Sequence, residues 1–193
     1  MTILIIANVL SFIGNTLFTL SSVFKSKKKI LICQSSNYIL AIISEFMTSA
    51  FSAMVQEGMS LIRNIILLFV KTKNKIVKLT ITLICVSISV CVGIIINIYF
   101  SNNVWYGYLP IMGTIVYSTA VILAFMINMS EIKAELVLKI GLVINSIIWS
   151  IYGFYVKLYP IAIFNIITII ICIISFIRII LILNKAKEEE SKI

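Results

Sequence analysis

Few residues in this chain could do chemistry. It has no histidine, and its 7 acidic residues are all glutamate. That excludes a Ser-His-Asp set, the paired aspartates of an intramembrane protease and a His-rich metal site. No enzyme, metal or cofactor is therefore expected. What stands inside apolar sequence is a handful of amides, one acid, one base and a tryptophan. Asn64 and Asn165 lie 101 residues apart in similar apolar surroundings. An amide both donates and accepts, so a pair can read the hydroxyls of a neutral solute without burying charge. Trp149, 16 residues before Asn165, can offer an aromatic face to the same solute. The position 16 residues before Asn64 is Thr48, so the two walls would be unequal. Asn145, Tyr152, Ser150 and Tyr117 are weaker candidates for such a wall. Against this stands a structural reading, in which intramembrane asparagines bond neighbouring helices at about 0.6–2 kcal/mol each. Asn8, Asn15 and Asn97 fit that second role better.

Glu45 reads as the one acid deep in an apolar run, and Arg63 enters the next run from the same side. With a rise of 1.5 Å per residue the two differ in depth by roughly 8 Å or less. A Glu45–Arg63 pair is expected, either a lock between two helices or a proton-sensitive part of a solute path. Arg178, near the end of the last run, is expected to snorkel to the headgroups. Cys33, Cys85, Cys91 and Cys172 lie in or beside apolar runs without a C-x-x-C pair, and read as small buried hydrophobes.

The elements that must position these residues are helices in a bilayer. The 193 residues are 61% hydrophobic and 12% charged, with mean hydropathy +1.15. A soluble domain is about 45–50% apolar and about 25% charged. Crossing the hydrocarbon takes about 20 residues, and seven runs are read: 2–24, 33–55, 58–70, 76–100, 105–129, 136–156 and 158–183. The third is short and carries an arginine, so it is the weakest. Pro110 and Pro160 suit the starts of the fifth and seventh. The expected fold is an all-α polytopic membrane protein.

Net charge is +9, but its placement points to lipid and not to nucleic acid. Lysines follow the first, third, fifth and last runs, while the opposite loops hold only Lys157. The positive-inside rule then puts the N-terminus outside and the C-terminus in the cytoplasm, and attraction to anionic headgroups explains the basic balance. Lysines 25, 27, 28 and 29 come after the first run and not before it, so a cleavable signal peptide is not expected. The bilayer is the expected partner, with a small solute; self-association is compatible with the sequence.

The runs also repeat. Phe51-Ser-Ala-Met-Val lies over Tyr152-Gly-Phe-Tyr-Val with the 101-residue offset, and Ile13-Gly-Asn-Thr over Met112-Gly-Thr-Ile at 99. This predicts a 3+1+3 arrangement: a three-helix bundle over 1–75, a linker helix over 76–100, a second three-helix bundle over 101–184 and a cytoplasmic tail over 185–193. Repeated membrane halves commonly enclose a site where they meet.

Leu109-Pro-Ile-Met-Gly-Thr-Ile-Val, Ile148-Trp-Ser-Ile-Tyr-Gly-Phe-Tyr, Asn165 and Phe176-Ile-Arg178 resemble the YgjV-type bacterial inner-membrane proteins, as do Phe24-Lys-Ser-Lys-Lys-Lys and Ile62-Arg-Asn. This likeness covers most of the chain and implies a bacterial inner-membrane location. More remotely, Trp149-x-x-Tyr-Gly with Pro160 and Asn165 resembles the SWEET/SemiSWEET and PQ-loop proteins. That resemblance implies solute binding by Trp149, Asn64 and Asn165 in a central cavity. The chain departs from it in having no proline before residue 110, and none follows Phe125 where the second copy would put it, so the hinge proline of each half is missing. The function expected is a facilitator or carrier for a small neutral polar solute such as a sugar, by alternating access. The alternative is a non-transporting scaffold or receptor-like protein of the same fold.

Overall fold

A computed structural model describes residues 2–69, 75–100, 103–126 and 130–190. Among these it is all-helical: α1 (Thr2–Ser21), α2 (Lys27–Met47), α3 (Phe51–Phe69), α4 (Lys75–Phe100), a 3-10 turn (Trp105–Tyr108), α5 (Leu109–Met126), α6 (Glu131–Tyr155) and α7 (Tyr159–Glu190). Six of the seven α-helices are long and apolar enough to cross a membrane. The exception is α3, the run expected to be weakest. Its Ala53, Gln56, Glu57, Ser60, Arg63, Asn64 and Leu67 are buried while Ile62, Ile65 and Phe69 are exposed. That spacing is one helical stripe, with the polar side turned inward and the apolar side left for lipid.

The second apolar run, expected over 33–55, is two pieces. α2 stops at Met47, and α3 starts at Phe51. Between them Ser49 takes a left-handed φ of 58°, and the Ala50 N–H donates to Glu45 O at 2.9 Å, a helix-ending turn of the kind glycine usually makes. Thr, Ser and Ala do not interrupt a hydropathy pattern, which is why the break was invisible. The turn between α6 and α7 repeats its left-handed residue and its closing hydrogen bond. Lys157 has φ 60°, and Leu158 N–H donates to Gly153 O at 3.1 Å.

Ser49 and Lys157 are 108 residues apart. The expected 101-residue offset instead laid the start of α3 on the end of α6. The two registers differ by two helical turns, a shift that returns nearly the same face, within about 20°. Apolar periodicity could not tell them apart.

Each helix packs mainly on its chain neighbours, and α1 also meets α7 while α3 meets α5. Six helices thus close a ring in the order α1, α2, α3, α5, α6, α7, with α4 held against α3 and α5. Gln56 anchors α4: its Nε2 donates to Ser89 O at 2.9 Å, and Ser89 Oγ donates back to its Oε1 at 2.5 Å. Pro110 and Pro160 are each the second residue of their helix, as expected.

The two ends of the ring differ. At the aromatic end Trp105 and Tyr106 pack on Tyr155, with ring centroids 4.7 and 5.4 Å away. The lysine end is closed by apolar side chains that include Phe18, Leu31, Leu67, Val121, Leu138 and Leu142. There Lys139 is buried inside α6, contrary to its expected place among the loop lysines. Its Nζ donates to Ser22 O at 2.6 Å, just past the end of α1, where carbonyls lack helix partners. Glu135 lies 3.7 Å from the same nitrogen. The residues expected to form a tail continue α7 through Glu190; 191–193 lie outside the described residues.

Candidate functional site

All six ring helices contribute to one narrow buried cavity of about 30 Å³, room for about two waters. α1 supplies Asn15 and Phe18, and α2 supplies Asn37, Tyr38, Ala41 and Glu45. From α3 come Glu57 and Ser60, from α5 Thr114 and Tyr117. Asn145 and Trp149 on α6, with Ile161 and Asn165 on α7, complete the wall. Gly113 lets α5 approach this wall: a Cβ there would sit 2.8 Å from Trp149 Nε1 and 2.9 Å from Asn145 Oδ1.

Of the residues expected to bind solute, Asn165, Trp149 and Asn145 meet at this cavity, with Tyr117. Asn64 does not line it. Its Oδ1 accepts from Arg63 Nε and Nη2 at 3.2 and 3.1 Å, and its Nδ2 reaches Leu31 O at 3.5 Å. Asn64 thus braces the arginine. In the 108-residue register the position matching Asn165 is Glu57, not Asn64.

Thr48 and Tyr152 belong to a second space, a groove of about 290 Å³ at the aromatic end. The Thr48 hydroxyl bonds back to Ser44 O and Glu45 O within its own chain turn. Tyr152 is buried and makes an edge contact with Trp149, centroids 5.6 Å apart. It therefore stands between the groove and the cavity. Ser150 serves packing, donating to Ala162 O at 3.2 Å.

The expected Glu45–Arg63 pair does not form. Both Glu45 carboxylate oxygens are buried without a hydrogen-bond partner among the described residues. Glu45 is two residues from the end of α2 and Arg63 is twelve from the start of α3, a depth difference of roughly 15 Å. The shorter expected separation came from carrying the second run through the turn. Arg63 instead donates to Ser118 Oγ at 2.6 Å and Tyr38 Oη at 3.4 Å, with its guanidinium 5.5 Å from the Tyr117 ring centroid. Gln34 Nε2 donates to Tyr117 Oη at 2.6 Å, extending this network toward the lysine end.

Glu57 is the site residue that sequence reasoning missed, because the assumed run boundaries left it in a loop. It lies one helical turn before Ser60 on the buried stripe of α3 and shares the cavity with Glu45. The signal was present: Glu57, Ser60 and Asn64 hold the spacing of a single helical face.

A family model of bacterial inner membrane proteins, Imp-YgjV, matches residues 5–181. The chain belongs to this family. It is a multi-pass protein of the bacterial inner membrane, in contact with the lipid bilayer, and every cavity residue lies inside the matched stretch. Comparison with curated proteins returns no match, and neither does comparison with solved structures. The SWEET and PQ-loop resemblance thus rests on Trp149, Tyr152, Gly153, Pro160 and Asn165 alone.

Proposed function

We propose that this inner membrane protein is a carrier of a small polar solute, working by alternating access and not as an enzyme. One observation carries the reading. Asn37, Glu45 and Asn165, on two helices, line one buried cavity, and Asn37 Oδ1, Asn165 Oδ1 and both Glu45 oxygens have no hydrogen-bond partner among the described residues. An unmatched polar atom in an apolar interior is costly, and a scaffold gains nothing by keeping four of them together. A carrier needs them for its cargo. The two matching turns and the ring contacts support a 3+1+3 organisation, in which the α1–α3 and α5–α7 units rock against each other. The lysine clusters support a cytoplasmic lysine end and an outward N-terminus. Tyr152 is then the outer gate, and the Arg63–Tyr117–Gln34 network closes the inner side.

Proteoliposome uptake over a panel of labelled sugars, polyols and small amines tests the proposal. At least one class should accumulate, and Asn165→Ala should slow its uptake about tenfold, the loss of one good hydrogen bond to the cargo. Uptake of none of them, or full activity in Asn165→Ala, would favour the scaffold.

A further inference from the structure

On the lipid side of the ring, the seam between α6 and α7 holds two adjoining spaces toward the lysine end. One is a recess of about 300 Å³ whose charged lining is Lys25, Lys139, Arg178, Glu131 and Glu135. The other is a groove of about 210 Å³, walled by Ile140, Val143 and Ile144 on α6 and by Cys172, Ile173 and Phe176 on α7. Lys139 borders both, so the two meet at that side chain. Ile140, Ile144 and Ile173 are exposed, which leaves the groove open to lipid. Arg178 lies 19 residues beyond Tyr159 on α7, about 29 Å along the helix and close to the thickness of the hydrocarbon. Phe176, Ile173 and Cys172 are about 3–9 Å nearer the midplane. The charged recess therefore stands at headgroup depth, with the apolar groove beneath it among the acyl chains.

The charges of the recess do not cancel. Lys139 is already engaged: its Nζ donates to Ser22 O at 2.6 Å and lies 3.7 Å from Glu135 Oε1. That leaves the exposed Lys25 and Arg178 against Glu131, two cations against one acid. Neither Lys25 nor Arg178 has an ion-pair partner among the described residues. A basic recess above an apolar groove matches one kind of molecule, an anionic headgroup joined to a hydrocarbon chain. Basic pockets between membrane helices hold acidic lipid headgroups in this way. We infer that the α6–α7 seam binds one anionic phospholipid, its phosphate against Lys25 and Arg178 and an acyl chain along Ile140, Ile144, Ile173 and Phe176. Such a site needs no carrier activity.

Native mass spectrometry of the full-length protein in a neutral detergent tests this. Titrated with phosphatidylglycerol, phosphatidylcholine or glycerol phosphate, the wild-type chain should retain one phosphatidylglycerol at concentrations where it retains neither of the others. Lys25→Gln combined with Arg178→Gln should weaken that retention about tenfold. Lys28→Gln, exposed but outside the recess, should leave it unchanged. Lys25 and Arg178 are both exposed, so the double variant should fold. If it does not, Arg178→Gln alone and the three-ligand comparison on the wild type decide. Equal retention of phosphatidylcholine would reduce the seam to ordinary lipid-facing surface. Retention of glycerol phosphate would make it a site for free anions, and a lipid-independent dimer would give it to a second copy of the chain. Each of these overturns the inference, as would unchanged retention in the double variant or an equal loss in Lys28→Gln.

Discussion

Replacing Arg63 by alanine should destabilise the protein by about 3–5 kcal/mol, the usual result of removing one partner from a buried charged network. Arg63 is 1% exposed and holds Asn64, Ser118 and Tyr38 on three different helices, with Tyr117 beneath it. Its loss strands those acceptors and leaves Glu57 without the nearest cation. Arg63→Lys keeps the charge but not the planar fork that reaches several acceptors at once, so it should fall between the two. Unfolding in detergent, followed by thermal or denaturant titration, would check the order wild type, Arg63→Lys, Arg63→Ala. An Arg63→Ala protein as stable as Lys28→Ala, whose side chain is exposed, would show that the network is not holding the helices.

Gly141→Ala should come next, at about 1–3 kcal/mol, as expected for overpacking a close contact. A Cβ at Gly141 would lie 2.3 Å from the Cβ of Ala120. Neither is the end of a flexible side chain, so α5 and α6 would have to move apart. α5 carries Thr114 and Tyr117 to the cavity and α6 carries Asn145 and Trp149; both walls would therefore shift. The same unfolding assay reads the loss, and in a Trp105→Phe background Trp149 fluorescence should report a wetter surrounding. Ala120→Gly made together with Gly141→Ala should recover much of the stability, because it removes the other half of the clash. No recovery would mean that the contact is not what limits the variant.

The bilayer-spanning character was legible because it depends only on composition and run length, which local breaks barely disturb. The turn at Thr48–Ala50 was not legible, since no glycine, proline or charge marks it. That one omission displaced Glu57 into a loop, set Glu45 too deep and brought it to within roughly 8 Å of the depth of Arg63. Asn165 and Trp149 share a cavity wall, as the sequence suggested, because α7 begins near a proline and α6 ends near Lys157, which fixed their depth. Asn64 lies off the cavity for a different reason: residues seven apart share a helical face, so the 101-residue register offered Asn64 where the turn geometry offers Glu57.

The proposed carrier function depends on the cavity opening to water at each membrane face in turn. Thiol labelling tests this most directly. With Cys33, Cys85, Cys91 and Cys172 replaced by alanine or serine, Asn165→Cys and Ser60→Cys would be exposed to a charged, membrane-impermeant reagent in vesicles of both orientations. Leu142→Cys, in the closed apolar core, serves as the inert control. The account predicts that both cavity cysteines react from either side and the control from neither. Cavity cysteines as unreactive as the control, or open to one face alone, would contradict it.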